Sequence, residues 1–318
     1  MAKGTRELRR RIKSIQNTKK ITKAMEMVSA AKMRKAVASV LATRDYSNLA
    51  WATIMHLAEK TDAQKNPLLE KRNGNRKSRV GLILISTNRG LCGAFNMQLV
   101  QKAMSSIKKH KSNVENTDII TFGTQGRDII KSMGYNVIAD FEKQDITLST
   151  TDVSAIAKIA IEKFVDKTFD KVFIVFTDFV TSMNQEPRVK QILPIEAEPD
   201  EHIGVVGKSE KIGATKEFIK EKQEKYLKKG DFAYEYVFEP SPEVVLQQML
   251  PRLIEMQIYQ AVLESEASEH SARMIAMKNA TDAAKDMIDD LTLSYNRARQ
   301  ASITQEIAEI SAGAAALG

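Results

Sequence analysis

The chain opens on a helical pattern with two apolar faces. From about Thr5 to about Glu59 it holds no Pro, and Gly4 is the only Gly before it. Leu8, Ile12, Ile15 and Thr22 fall on one helical face, whereas Ile21, Met25 and Val28 fall on a different one. A surface helix carries one apolar stripe, so two faces predict a helix covered from more than one side.

The pattern breaks at "DAQKNPLLEKRNGNRKSR", which contains Pro67 and Gly74 and reads as a linker or long loop. The period then alternates. Val80–Ser86, Asp118–Gly123 and Lys171–Thr177 have the apolar, β-branched character of buried strands. Helices are predicted between them at Asn96–His110, Thr124–Met133 and Val153–Phe169. Strand–helix–strand alternation predicts a parallel α/β sheet with right-handed crossovers. Arg188–Ile195 and Phe232–Phe238 read as edge strands. Between them Glu198–Gly230, rich in Lys and Glu, reads as a surface insertion, helical in part at Thr215–Lys229.

After Pro251 neither Pro nor Gly occurs until Gly313. A continuous helix over that span is roughly 90 Å long, so it is expected to project from any small domain. A heptad seam runs along it without a skip: Leu253, Met256, Gln260, Leu263, Ala267, His270, Met274, Met277, Thr281, Ala284, Ile288, Leu291, Tyr295, Ala298, Ser302 and Gln305. Spacing of three and four suits a left-handed coiled coil. The seam is poor in Leu and Ile, so the pairing needs support from a domain at its base or from a surrounding partner.

These zones predict an α+β protein. A long antiparallel coiled coil of the N- and C-terminal helices carries a Rossmann-like α/β domain inserted between them. The expected boundaries are 1–60 for the N-terminal helix and 61–79 for the linker. The α/β domain takes 80–240, with 198–230 as its insertion, and the C-terminal helix takes 241–318.

Composition adds constraints. The chain has 318 residues, 43% hydrophobic and 6% aromatic, with a net charge of +8. One cysteine, Cys92, excludes an internal disulfide framework and suggests a reducing compartment. No apolar run approaches the ~20 residues of a membrane span, and "MAKGTRELRRR" lacks the apolar core of a signal peptide. A cytoplasmic location is expected, with an acidic partner favoured by the charge. Lys3, Arg6, Arg9, Arg10, Arg11, Lys13, Lys19, Lys20, Lys23, Lys32, Arg34 and Lys35 face only Glu7 and Glu26. A basic coiled-coil nucleic-acid binder is one reading of this helix. A solvated charged face is another. An acidic protein wrapped around the helix is the third, and it alone also accounts for the two apolar faces.

The candidate chemistry lies in "LILISTNRGLCGAFN", an apolar run, a glycine loop and a helix start, the layout of a phosphate site. The loop departs from the P-loop pattern G-x-x-x-x-G-K-[ST]: its spacing is Gly90-x-x-Gly93, and Ala94-Phe95 stands where Lys and Ser/Thr belong. The dinucleotide fingerprint is absent too. Gly90 and Gly93 are better explained by a tight strand-to-helix turn and close packing. Cys92 sits near a helix start, where a thiol gains reactivity, but no His is near in sequence, and a buried structural thiol fits better. Asp178 ends a strand, a position favoured for catalytic acids, without a partner motif. No metal-ligand cluster is visible, and His270 stands alone on its helix.

Three stretches carry a family resemblance: "IQNTKKITKAMEMVSAAKMRKA" from Ile15, "STNRGLCGAFN" from Ser86, and the run from Ser268 to Leu317 ending "EISAGAAAL". In this order they resemble the γ subunits of F-type ATP synthases. The resemblance covers both termini and the core of the middle domain. It implies a central shaft of the two terminal helices inside a ring of three α and three β subunits. The α/β domain becomes a foot against the ε subunit and the membrane c-ring. It implies no catalytic residue, metal or cofactor in this chain, because the catalytic sites belong to the β subunits. It implies neither a nucleic-acid partner nor a direct membrane span. The chain is then a peripheral membrane protein on the cytoplasmic face of the cell membrane, held there through the complex. Arg89, Gly90, Leu91, Cys92 and Gly93 become a family marker loop. Arg299, Gln300, Thr304 and Glu306 match positions that contact β-subunit loops, and Met25 and Arg273 match positions tied to coupling. Chloroplast members carry an inserted cysteine pair that acts as a thiol switch, which Cys92 alone cannot form.

Overall fold

The computed structural model describes residues 2–60, 66–70, 79–109, 116–144, 149–195, 239 and 241–317. The chain has a long N-terminal helix, a central mixed sheet with helices, and a long C-terminal helix, an α+β arrangement. The elements are α1 (Ala2–Lys60), β1 (Val80–Ile85), α2 (Phe95–Lys109), β2 (Thr117–Phe122), α3 (Thr124–Ser132), β3 (Asn136–Phe141), α4 (Thr151–Val165), β4 (Lys171–Phe179), β5 (Gln185–Leu193) and α5 (Pro242–Leu317). Among the described residues no helix is long and apolar enough to cross a membrane. Two compact units result, one of residues 1–30 with 273–318 and one of residues 31–272.

The larger unit is organised by the sheet, in strand order β3-β2-β1-β4-β5. β1 pairs in parallel with β2 and β4, β2 pairs in parallel with β3, and β5 runs antiparallel on β4. Side chains alternate across a strand, so each strand feeds two cores. Ile83, Ile85, Ile120, Phe122, Ile174 and Phe176 face one side, where Val153, Ile156 and Phe164 of α4 and Ile254, Ile258 and Val262 of α5 cover them. Leu82, Leu84, Ile119 and Val175 face the other, against Leu99, Val100 and Ala103 of α2 and Ile130 of α3. Residues 246–263 of α5 are part of the sheet unit's core.

Several boundaries are corrected. The helix expected at Val153–Phe169 spans Thr151–Val165. Lys167 takes a left-handed φ of 59°, and the amides of Thr168 and Phe169 both donate to Lys163 O. Phe169 then turns inward onto Gly81, where an added Cβ would lie 2.7 Å from its ring. β3 was not anticipated. It is an edge strand with alternately exposed residues, so it lacks the continuous apolar run of its neighbours. β5 starts at Gln185, ahead of Arg188. Within the expected linker, Leu68 is buried in the core, and its carbonyl accepts a hydrogen bond from Ile195 N at 3.0 Å. The expected insertion Glu198–Gly230, with its helix at Thr215–Lys229, and the strand Phe232–Phe238 lie outside the described residues.

Candidate functional site

The loop after β1 is braced by its own polar groups. Ser86 Oγ donates to Gly123 O at 3.0 Å and accepts from Gly126 N at 2.9 Å. Asn96, at the start of α2, receives Thr87 N on its Oδ1 at 3.2 Å and donates to Thr87 Oγ1 at 2.8 Å. The Asn96 amide also reaches Cys92 Sγ at 3.6 Å, and Cys92 is buried. Thr87 Oγ1 donates to Arg89 O at 2.9 Å. Side chains that a phosphate would recruit are therefore engaged inside the protein. Leu91 and Gly93 both adopt left-handed φ, 64° and 63°. Close packing explains neither Gly90 nor Gly93, since a Cβ at either would meet nothing within 4 Å. The close approach lies opposite, at Gly123 and Gly126, where an added Cβ would come within 2.5 Å of Ser86 atoms. Arg89 and Leu91 are exposed at the loop's rim.

The other chemical candidates are also internally engaged. Asp178 is buried and paired with Arg188 of β5 at 2.7 Å, a cross-strand ion pair in place of a free acid. His270 is buried on α5. Among the described residues no group of His, Cys, Asp or Glu is placed to hold a metal ion.

The smaller unit presents a different kind of site. On α1, Thr5, Leu8, Ile12, Ile15, Lys19, Thr22, Glu26 and Ser29 form a line of buried and half-buried residues. Between Thr5 and Lys23 every other described side chain is exposed. On α5, Met274, Met277, Thr281, Ala284, Ile288, Leu291, Tyr295, Ala298 and Ser302 do the same, and from Asp282 to Ala301 all residues between them are exposed. From Met274 to Ser302 the positions of the expected heptad pattern are therefore buried or half-buried. Gln305 is exposed and ends it. Upstream, from Gln257 to Ser271, every residue is buried and no stripe can be distinguished.

The two lines meet at Thr22 and Thr281, whose hydroxyls share a hydrogen bond at 2.8 Å. Beside them a groove has the polar residues Gln16, Lys19, Lys20, Lys23, Glu26, Lys278 and Asp282 along with the apolar Ala24, Met27 and Ile288, and Lys23 is paired with Glu26 at 2.9 Å. The second apolar face of α1 is uncovered: Ile21 is 60% and Val28 55% exposed. Beyond Ser302, Ile303, Ile307 and Ile310 are 47%, 59% and 73% exposed, and their spacing of four and three keeps them on one helical face. This apolar line was not anticipated, although its spacing was readable.

Of the residues matched to coupling positions, Met25 and Arg273 are half-buried, and Arg299, Gln300, Thr304 and Glu306 are exposed. The last four fall within about two turns near the end of α5. Thr304 Oγ1 donates to Gln300 O at 3.0 Å, and Ser302 Oγ reaches Glu306 Oε1 at 3.5 Å. The marker loop, in the sheet unit, belongs to a separate set.

Comparison with known proteins bears on this arrangement. A family model described as ATP synthase matches residues 4–317. The ATP synthase gamma chain of Herpetosiphon aurantiacus is 42% identical over 321 residues, covering 99% of each chain. That of Legionella pneumophila strain Corby is 36% identical over 314 residues, again covering 99% of each. In fold, the chain is similar to one in the Euglena gracilis mitochondrial ATP synthase, OSCP/F1/c-ring, rotational state 3. The TM-score is 0.63 at 18% identity, covering 100% of this chain and 95% of that one. A match along the whole chain sets aside the nucleic-acid-binding reading of its basic helix. The chain belongs to the ATP synthase gamma family.

Proposed function

We propose that the chain is the central rotor shaft of an F-type ATP synthase, a non-catalytic subunit that couples ion flow through the membrane to ATP synthesis or hydrolysis. In this reading residues 1–60 and 241–318 form the shaft, an antiparallel coiled coil. Residues 61–79 are the linker, and 80–240, with the insertion 198–230, are a Rossmann-like foot. The strand order 3-2-1-4 of the parallel part supports the name, as it is the order of doubly wound dinucleotide folds. Two polar ties support the coiled coil. Thr22 meets Thr281, and Thr43 Oγ1 donates to Gln260 Oε1 at 2.9 Å. Each partner advances by the same interval (43 − 22 = 21 and 281 − 260 = 21), which is three heptads.

The observation that carries the reading is the apolar surface left open on the paired helices. Ile21 and Val28 on α1, and Ile303, Ile307 and Ile310 on α5, form lines that a surrounding protein would cover. Three α and three β subunits around the shaft supply that cover, and the groove beside Thr281, with four Lys against Glu26 and Asp282, offers such a sleeve a mixed apolar and charged seat. The ε subunit and the membrane c-ring contact the foot. A shaft biases a β subunit only if it contacts that subunit's states differently. Arg299, Gln300, Thr304 and Glu306 near the free end of α5 are the residues placed for that, with Met25 and Arg273 further along the paired helices. The chain is then a peripheral protein on the cytoplasmic face of the cell membrane through its complex.

Gel filtration of a native extract tests this: the chain is expected to co-migrate with a large membrane-derived ATPase. Elution as a free small protein would refute it. Cysteine pairs at Thr22 and Thr281 are expected to crosslink within one chain. Crosslinks only between two copies would mean a homodimeric coiled coil instead.

A further inference from the structure

In the sheet unit, α5 buries an unusually polar stretch. Glu264, Ser265, Glu266, Ser268, Glu269, His270 and Ser271 are all inside the protein. Burying charge is unfavourable unless it is paired. For Glu269 and Ser271 the partners come from loops at one end of the sheet, whereas Glu264 accepts from Gln260 Nε2 of its own helix at 3.3 Å. Lys143, just after β3, is itself buried and donates from Nζ to Glu269 Oε2 at 2.7 Å. Lys143 is fixed in turn by Asn88 of the loop after β1. Asn88 Nδ2 donates to Lys143 O, and Asn88 Oδ1 accepts from Lys143 N at 3.2 Å. The Asn88 carbonyl accepts from Thr124 Oγ1 at 3.0 Å, which ties the loop to α3. On the other flank, Ser271 Oγ donates to Ser182 O in the β4–β5 turn at 2.6 Å, and Gln185 Nε2 donates to Ser271 Oγ at 3.4 Å.

The segments after β1, β3 and β4 all leave the carboxyl ends of parallel strands, so they share one edge of the sheet. Together they close on Glu269 and Ser271 of α5, two residues apart and so about 200° apart around the helix. Apolar packing holds a helix against a sheet but has no preferred direction. A buried ion pair and short hydrogen bonds do have one, and they resist turning of the helix about its own axis.

We propose that this collar, with Lys143–Glu269 as its main tie, locks α5 rotationally to the sheet domain, so that torque passes between foot and shaft. The proposal rests on the rotor reading above. Lys143, Asn88 and Ser271 are positioning residues, and the loop containing Asn88 acquires a mechanical task in place of a nucleotide.

The test uses the assembled complex with its α and β subunits immobilised and a rod attached to the foot through Lys108→Cys, an exposed position on α2. The angular spread of the rod at rest measures torsional stiffness. The variant Lys143→Met/Glu269→Leu replaces the ion pair by apolar groups, a change that commonly preserves stability. Its angular variance is expected to rise about twofold or more while its melting temperature stays near that of the wild type, because direction is lost and packing is kept. A variance equal to the wild type's overturns the proposal. If that variant fails to assemble, Ser271→Ala decides. A modest broadening is expected there, and an unchanged spread overturns the collar. Failure of the wild-type rod to turn when ATP is supplied would instead refute the rotor reading itself.

Discussion

From Gln257 to Ser271 the helix α5 is buried on every side, and from Asp282 to Ser302 it is buried along one line only. The first stretch is rich in charge and hydroxyls, "QIYQAVLESEASEHS", and the second has the better heptad seam. Burial therefore does not follow apolar content along this helix. It follows the number of elements packed against each stretch. In the first, α1, the sheet and its loops supply hydrogen-bonding partners from several directions. In the second, a single neighbouring helix supplies contact, and the outer face is left for other molecules. One helix can serve as an anchored axle in one stretch and as a readable surface in another because its surroundings differ, not its backbone.

The sharpest way to break this comparison is to truncate one large apolar side chain in each stretch. Leu263 is fully buried in the core shared by α5 and the sheet. Leu263→Ala is expected to destabilise the chain by about 2–5 kcal/mol, the range for a buried Leu that leaves a cavity. Urea unfolding measures it. Leu293, which is 53% exposed in the one-sided stretch, is the control. Leu293→Ala is expected to stay within ~0.5 kcal/mol of the wild type. Equal losses at the two positions would show that the difference in burial carries no energetic weight.

A smaller effect is expected where the one-sided stretch is buried. Thr281→Ala removes one partner of the Thr22–Thr281 bond and leaves the other hydroxyl in a buried site. The expected loss is about 0.5–1.5 kcal/mol, since Thr22 Oγ1 keeps Lys19 O as an acceptor at 3.1 Å. Replacing both residues by Val removes the polar pair together, so Thr22→Val/Thr281→Val is expected to lose less than Thr281→Ala. Thermal unfolding of the three chains orders them. A double variant as damaged as the single one would mean that shape, not hydroxyl pairing, matters at this level.

The same contrast explains what the sequence made legible. The line of buried and half-buried residues from Met274 to Ser302 was readable because it follows one helical period. The strands β1, β2 and β4 were readable because both faces of each are buried in apolar cores, leaving continuous runs. β3 was not, since on this edge strand only Val137, Ala139 and Phe141 are half-buried, and Asn136 and Asp140 break the run around the exposed Ile138. In the stretch Gln257–Ser271 the heptad pattern marks only Gln260, Leu263, Ala267 and His270, yet every residue is buried. Its burial depends on Thr43, Lys143 and Ser182, which lie far away in sequence and carry no local sign of their partners. The loop at Ser86–Asn96 was readable as unfit for a P-loop. Its bracing through Asn88 and Lys143 was not readable, because that contact spans 55 positions. Tyr259 shows the same limit. Its phenol is pushed above its usual range by burial, with the charges of Glu266 and Asp152 adding to the shift, and only Glu266 is a neighbour in sequence.

The smallest expected effect on stability falls at Arg299 and Gln300, and there the comparison is best sharpened by function. Both are exposed near the C-terminal end of α5. Replacement of both by Ala is expected to change stability by no more than ~0.5 kcal/mol, because the surface is solvated and Ala favours helix. The two residues are adjacent, about 100° apart around the helix, so both reach a single loop passing over it. An Arg fork and an amide make directed hydrogen bonds to carboxylates or carbonyls. If that loop belongs to a β subunit in only one of its states, the double variant removes about 2–4 kcal/mol of binding from one rotary position. Assembly is then expected to be normal, turnover slowed, and ion flow less tightly coupled to ATP synthesis. Membrane vesicles carrying Arg299→Ala/Gln300→Ala provide the measurement. ATP synthesis at the wild-type rate would remove both residues from the coupling surface and leave Thr304 and Glu306 as the positions to examine. A loss of stability matching that of Leu263→Ala would instead show that the end of α5 is anchored like its buried stretch.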